Sequence, residues 1–176
     1  MNLPKVRISI PVGLNGTLDH RIGVFLWWLG KERDGKTCDI ELEITADKPV
    51  CQTRNRQTRH FLKGEAEYIL LMDRDCIPDL HGFDLLVEAI QKPDVDAVGG
   101  WSVMHWQDNK CVPMIISPKG MSLDGKSAEI STTELGLDPG LYDISGKGLA
   151  THCLMISREV LQKFWDDGTI WFEDIL

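Results

Sequence analysis

The apolar positions of the chain change period several times, and each change marks an element. Val6, Ile8, Ile10 and Val12 alternate with Lys5, Arg7, Ser9 and Pro11, a period of two that predicts a first strand. Gly13 and Asn15-Gly16 break it into a loop. Over Asp19 to Glu32 the apolar residues Ile22, Phe25, Leu26 and Leu29 recur at helical spacing. This predicts an amphipathic helix capped by Thr17 or Asp19, with Trp27 and Trp28 on its packed side. Asp34-Gly35-Lys36 reads as a turn. Ile40, Leu42 and Ile44 then alternate with Glu41 and Glu43 in a half-exposed second strand ending at Ala46-Asp47.

Val50 to Lys63 has helical length but an odd stripe. Arg54, Thr58 and Phe61 share a face, so the inward side begins polar and turns apolar only at the far end. Tyr68 to Met72 is an unbroken apolar run, as in a strand covered on both faces. Asp79 or His81 to Ile90 predicts another helix, and Val95 to Val98 a short strand running into Gly99-Gly100. Strands and helices in strict alternation predict an α/β fold built on a mainly parallel sheet with right-handed crossovers.

After Gly100 the alternation stops. Residues 101–140 carry short extended pieces and turns, which predict hairpins or a long loop covering one end of the sheet. Trp101 and Trp106 lie here, placed either to stack on a ligand or simply to pack. Leu149 to Ile156 predicts a strand interrupted by Thr151 and His152, and Ser157 caps a last helix bearing Val160, Leu161 and Phe164. Trp171-Phe172-Glu173-Asp174 closes with an acidic pair in apolar surroundings.

Totals narrow the choice of partner. With 176 residues the chain suits one domain with a real core, 1–100 and 101–176 being its two halves. A net charge of -8 argues against a nucleic-acid surface. Five scattered cysteines without a C-x-x-C pair argue against a disulfide framework or zinc site, and for a reducing, cytoplasmic setting. No apolar run approaches the ~20 residues of a membrane helix, so no integral membrane segment is expected.

The chemistry centres on Asp73-Arg74-Asp75, where the apolar run ends. Open α/β sheets place ligands at the carboxyl ends of their strands. In an extended segment residues i and i+2 point to one side, so Asp73 and Asp75 can address one site. Two such close carboxylates suit a divalent cation with oxygen ligands, Mg²⁺ or Mn²⁺, completed by a substrate phosphate; a solvated acidic turn is the alternative. Arg54 and Asn55, early in a helix that holds four cations and no acid, are candidate anion ligands. Arg56 and Arg59 read equally well as a solvated face pairing with Glu65 and Glu67.

These segments together resemble the nucleotide-sugar glycosyltransferases of the GT-A fold, especially the family-2-like group. The Arg54-Asn55 helix leads through Glu67-Tyr68-Ile69 into Met72-Asp73-Arg74-Asp75, similar to that group's Asp-x-Asp signature. Gly146-x-Gly148 before Cys153 to Leu161 resembles its acceptor loop, strand and helix start, and Glu173-Asp174 its Glu-Asp motif. The resemblance implies a metal-dependent transfer of a sugar from a nucleoside diphosphate, UDP ahead of GDP, to a carbohydrate, lipid or protein hydroxyl, with inversion. It implies metal ligation by Asp75 and Asp73, and donor contacts from Pro11, Asp47, Arg54, Asn55, Asp73 and Arg74. Asp174 becomes the general base supported by Glu173, with Trp101, Gly148 and His152 on the acceptor side. Members of the group continue past the Glu-Asp motif, so the chain is expected either to be truncated there or to have its donor site finished by another chain or not at all. Two alternatives accompany this: a haloacid-dehalogenase-like phosphohydrolase using Asp73 and Asp75, and a non-catalytic nucleotide-sugar-binding module.

Overall fold

The computed structural model describes residues 2–12, 17–46, 49–100, 103–105, 111–113, 115–116, 148–149 and 152–168. Three strands, β1 (Lys5–Val12), β2 (Asp39–Ala46) and β3 (Tyr68–Met72), run parallel, with β1 between the other two. β9 (Cys153–Ser157) lies antiparallel against β3, and β4 (Ala97–Gly99) against β9, giving the order β2-β1-β3-β9-β4. The chain is thus a mixed α/β protein with a five-stranded, mostly parallel, Rossmann-like sheet. Helices α1 (His20–Glu32), α2 (Val50–Lys63), α3 (Leu80–Ile90) and α4 (Arg158–Asp166) flank it. Beyond Gly100 the described pieces are a hairpin, β5 (Val103–His105) with β6 (Cys111–Pro113), and β7 (Ile115–Ile116) paired with β8 (Gly148–Leu149). The hairpins expected after Gly100 are present to that extent.

Strand alternation sorts the core into two layers. Val6, Ile8, Ile10, Leu70, Met72 and Met155 join Ile22, Phe25 and Leu29 of α1 and Phe83 of α3 on one face. Ile69, Leu71, Leu154 and Ile156 meet Phe61 of α2 and Leu161 of α4 on the other. Helix starts follow their caps: Asp19 accepts from the Arg21 amide at 2.9 Å, Asp79 from Gly82 at 2.5 Å, and Ser157 from Val160 at 3.5 Å. The Asp34-Gly35 turn forms, and Gly35 takes a positive φ of 68°, which glycine adopts without a Cβ penalty.

Several sequence expectations change. Trp27 and Trp28 are 59% and 41% exposed; α1 lies on a single sheet face, and its contact stripe is filled by Ile22, Phe25 and Leu29. The two indoles instead pack edge to face at 4.8 Å, with Lys31 over both rings. On β2 the apolar side chains Leu42 and Ile44 are the exposed ones, because this is the sheet's edge strand. Phe164 of α4 is 44% exposed, leaving Leu161 as that helix's buried residue. Glu65 pairs with Lys5, and Glu67 accepts from the Lys5 amide, so these acids meet Lys5 rather than Arg56 or Arg59. Arg59 instead lies 5.9 Å from the Trp165 ring.

Candidate functional site

β1 pairs with β2 on one side and β3 on the other, so chain order reverses at β1. A crevice opens at such a reversal, beyond the carboxyl ends of the strands. The carboxyl ends of β1, β3 and β4 meet the amino end of β9 there. The Asp73 amide donates to His152 O at 2.8 Å, and the Gly100 amide to Cys153 O at 2.8 Å.

Asp73 follows the parity of Ile69 and Leu71 and points to the α2 side of the sheet. There its Oδ1 accepts from Arg54 Nη2 at 2.5 Å. The Arg54 side chain is 1% exposed, while Asp73 is 34% exposed. A guanidinium this deep is costly unless paired. Burial pushes its pKa down, and the Asp73 charge offsets part of that. Only one of its nitrogens is used in this way. Nε and Nη1 are buried without a hydrogen-bond partner among the described residues, as are both polar atoms of Gln57 one turn further on. The polar inner stripe read from the sequence is therefore real: Thr53, Arg54, Gln57, Thr58 and Phe61 are the buried face of α2. It packs over β1, whose Ser9 is also fully buried.

Asp73 and Asp75 do not sit in an extended segment. β3 stops at Met72, and the Cys76 amide donates to Asp73 O at 3.1 Å, folding residues 73–76 into a turn. The rule that i and i+2 share a side does not apply across it. Asp73 turns inward to Arg54, while Arg74 and Asp75 are exposed. Among the described residues no group of three or more His, Cys, Asp or Glu is gathered for a metal. Carboxylates are the donor type that Mg²⁺ or Mn²⁺ takes, and this turn carries two of them, but it does not aim them to one side.

Helix α2 begins at Val50 after Pro49, so Arg54 and Asn55 stand in its second turn, not at its amide-rich start. Anion binding by the helix terminus is thus not what Arg54 offers; its own guanidinium is. Pro11 is buried near the end of β1, opposite Thr45 of β2. His152 is in the turn before β9 rather than within a strand. Burial holds its imidazole below the ordinary value, with Asp73 pulling the other way, which places it in the same electrostatic neighbourhood. Gly148 belongs to β8. Asp47, Trp101, Glu173 and Asp174 lie outside the described residues, as does the loop of residues 13–16.

Two further residues gather here that the sequence alone did not single out. Cys153 is hydrogen-bonded to Cys76 and buried, which drives its pKa far up; Cys76, receiving that bond, is drawn down. The position of Cys76 directly after the acid pair was the available signal. A separate groove of about 820 Å³, lined by Tyr68, Arg158, Glu159, Lys163 and Asp166 among others, opens at the amino end of β3. It is remote from the acid turn, and strand topology favours the opposite end.

No family model and no curated protein matches the sequence. Among solved structures the chain is similar to A197 from STIV, with 20% identity and a TM-score of 0.59 over 90% of this chain and 68% of that one. At that identity the likeness bears on the fold, and it agrees with the flanked α/β sheet.

Proposed function

We propose that this chain is a metal-dependent glycosyltransferase of the GT-A type, acting in a reducing cytoplasm. It moves a sugar from a nucleoside diphosphate, UDP ahead of GDP, to an acceptor hydroxyl. The observation that carries this reading is the buried Arg54 reaching Asp73 at the carboxyl end of the sheet's central strand. Its two remaining guanidinium nitrogens are buried without protein partners among the described residues, so its positive charge reaches the site through Asp73, which is 34% exposed.

Asp75 and Asp73 would hold a divalent cation, which supplies charge neutralisation to the departing diphosphate. Arg54 orients Asp73 and adds positive charge beside the leaving group. Pro11, Asp47, Asn55 and Arg74 complete the donor side. Asp174 would take the proton of the acceptor hydroxyl, supported by Glu173, with Trp101, Gly148 and His152 lining the acceptor side. The residues 1–100 then form the donor half and 101–176 the acceptor half. The phosphohydrolase alternative gains nothing from the geometry: its acid-bearing strand normally opens the domain, and β3 is third in chain order.

The test is release of nucleoside diphosphate from a panel of UDP- and GDP-sugars, with Mn²⁺ or with EDTA. Release should require the metal, vanish in Asp75→Ala, and fall about 10²-fold or more in Asp174→Asn. Release indifferent to EDTA and to Asp75→Ala contradicts the assignment. Donor binding without turnover leaves the non-catalytic module, and a phospho-aspartate trapped on Asp73 the phosphohydrolase.

A further inference from the structure

Four cysteines are described, and none of the four is in a disulfide. Two of them meet at the acid turn. Cys76 closes that turn, its amide bonded to Asp73 O at 3.1 Å. Cys153 opens β9 opposite Met72, the residue just before the turn. Their side chains pack in the same core layer, near enough for each thiol to perturb the other.

The surroundings give the two thiols different roles. Cys153 is 2% exposed, and a methyl group on Gly100 would lie 2.8 Å from its Sγ. The Gly100 backbone thus lies close against the Cys153 sulfur. Cys76 is only half-buried. One thiol can therefore meet a small oxidant, and the other waits behind it.

We propose that Cys76 and Cys153 form a reversible disulfide that pins the Asp73–Cys76 turn to β9, a redox modification site at the mouth of the candidate site. The oxidant is a peroxide. The Cys76 sulfur attacks one peroxide oxygen, the O–O bond breaks, and hydrogen peroxide yields the Cys76 sulfenic acid and one water. The Cys153 sulfur then displaces the sulfenic oxygen as a second water, forming the S–S bond; two thiols are oxidised and one peroxide reduced. A dithiol reductant reverses it by exchange, leaving as its own disulfide. The effect on ligand binding rests on the donor-site reading above: a turn tied to β9 cannot adjust to a metal and diphosphate.

The experiment treats the full chain with hydrogen peroxide, alkylates it and maps peptides by mass spectrometry before and after dithiothreitol. A cross-linked pair containing Cys76 and Cys153, two hydrogens lighter and restored by reductant, is expected, with Cys38 and Cys51 still alkylated under denaturing conditions. In Cys153→Ser the Cys76 sulfenic acid should persist and be captured by dimedone. Wild-type Cys76 passing to sulfinic acid without the cross-link, or pairing elsewhere, overturns the proposal. Calorimetry with UDP and Mn²⁺ on reduced and oxidised protein separates it from the donor-site reading. At least about tenfold weaker binding to the oxidised form, 1.4 kcal/mol, supports both. Equal binding overturns the pinning effect. A cross-link without binding by either form leaves the disulfide standing and removes the donor reading; metal-dependent binding without a cross-link does the reverse.

Discussion

Arg54 concentrates the account in one side chain. A buried guanidinium paired to a half-exposed carboxylate is weak evidence of stabilisation, because desolvation cancels much of the attraction. Replacing both partners of such a pair with apolar side chains is often close to neutral, whereas removing one leaves the other's charge unpaired, and a small residue adds a cavity. Water reaches the Asp73 carboxylate, so Arg54→Met should cost about 1–3 kcal/mol of urea-unfolding free energy, and Arg54→Ala, which also leaves a cavity, about 3–5 kcal/mol. Both should lose diphosphate binding by calorimetry. A Met variant that is stable and still binds the diphosphate would remove Arg54 from the site. Cys38 offers a separate check on burial. Desolvation pushes its thiol from 9.0 to about 11. A raised pKa stabilises the fold below the unfolded value and loses that contribution as pH rises through the folded one. Unfolding free energy should thus fall between about pH 9 and 11 more steeply in the wild type than in Cys38→Ala. Parallel curves would show that the thiol is not held protonated.

Among the elements, α2 and α4 are joined by a residue whose role no periodicity announces. Arg158, the first residue of α4, donates to Phe61 O at 2.7 Å, Leu62 O at 2.9 Å and Ala66 O at 2.7 Å, and lies 4.5 Å from the Phe61 ring. Phe61 and Leu62 carry two of the last carbonyls of α2, where the helix end favours a nearby cation, and Phe61 O also accepts from the capping Gly64 amide at 3.0 Å. Arg158→Ala should cost about 2–4 kcal/mol in urea unfolding, with Arg158→Lys recovering only part, since an ammonium cannot span three carbonyls in a plane. A cost below about 0.5 kcal/mol in the alanine variant would show that water replaces it. The sequence exposed α2's polar stripe because a helix has one period to read. It could not show what the stripe met, since Ser9 comes from β1 and Asp73 from the turn after β3. The α1 reading failed for a related reason. Seven apolar side chains between Ile22 and Leu29 exceed what one sheet face can cover, and period alone does not say which are left out.

For the whole molecule, legibility followed how local each cause was. β1, β3 and the α3 cap are written in a few adjacent residues, and they form where the pattern puts them. The antiparallel direction of β9 was not legible, because apolar runs of either direction look alike and direction is settled by pairing. The turn over Asp73–Cys76 was missed since alternation was carried past the strand's end. The acid pair itself was plain from the sequence. Its nearness to Arg54, His152, Cys76 and Gly100 needed the strand order, which reverses at β1, where open α/β sheets place their ligands. The central claim is that this cluster grips a metal-bound diphosphate. A thermal-shift titration of UDP and GDP with and without Mn²⁺, on the wild type and Asp75→Ala, tests it most directly. At a nucleotide concentration near 100 times Kd the account predicts about 2.7 kcal/mol of added stability, seen as a melting temperature several degrees higher, only with the metal and only in the wild type. A shift of equal size without Mn²⁺, or retained in Asp75→Ala, would contradict it.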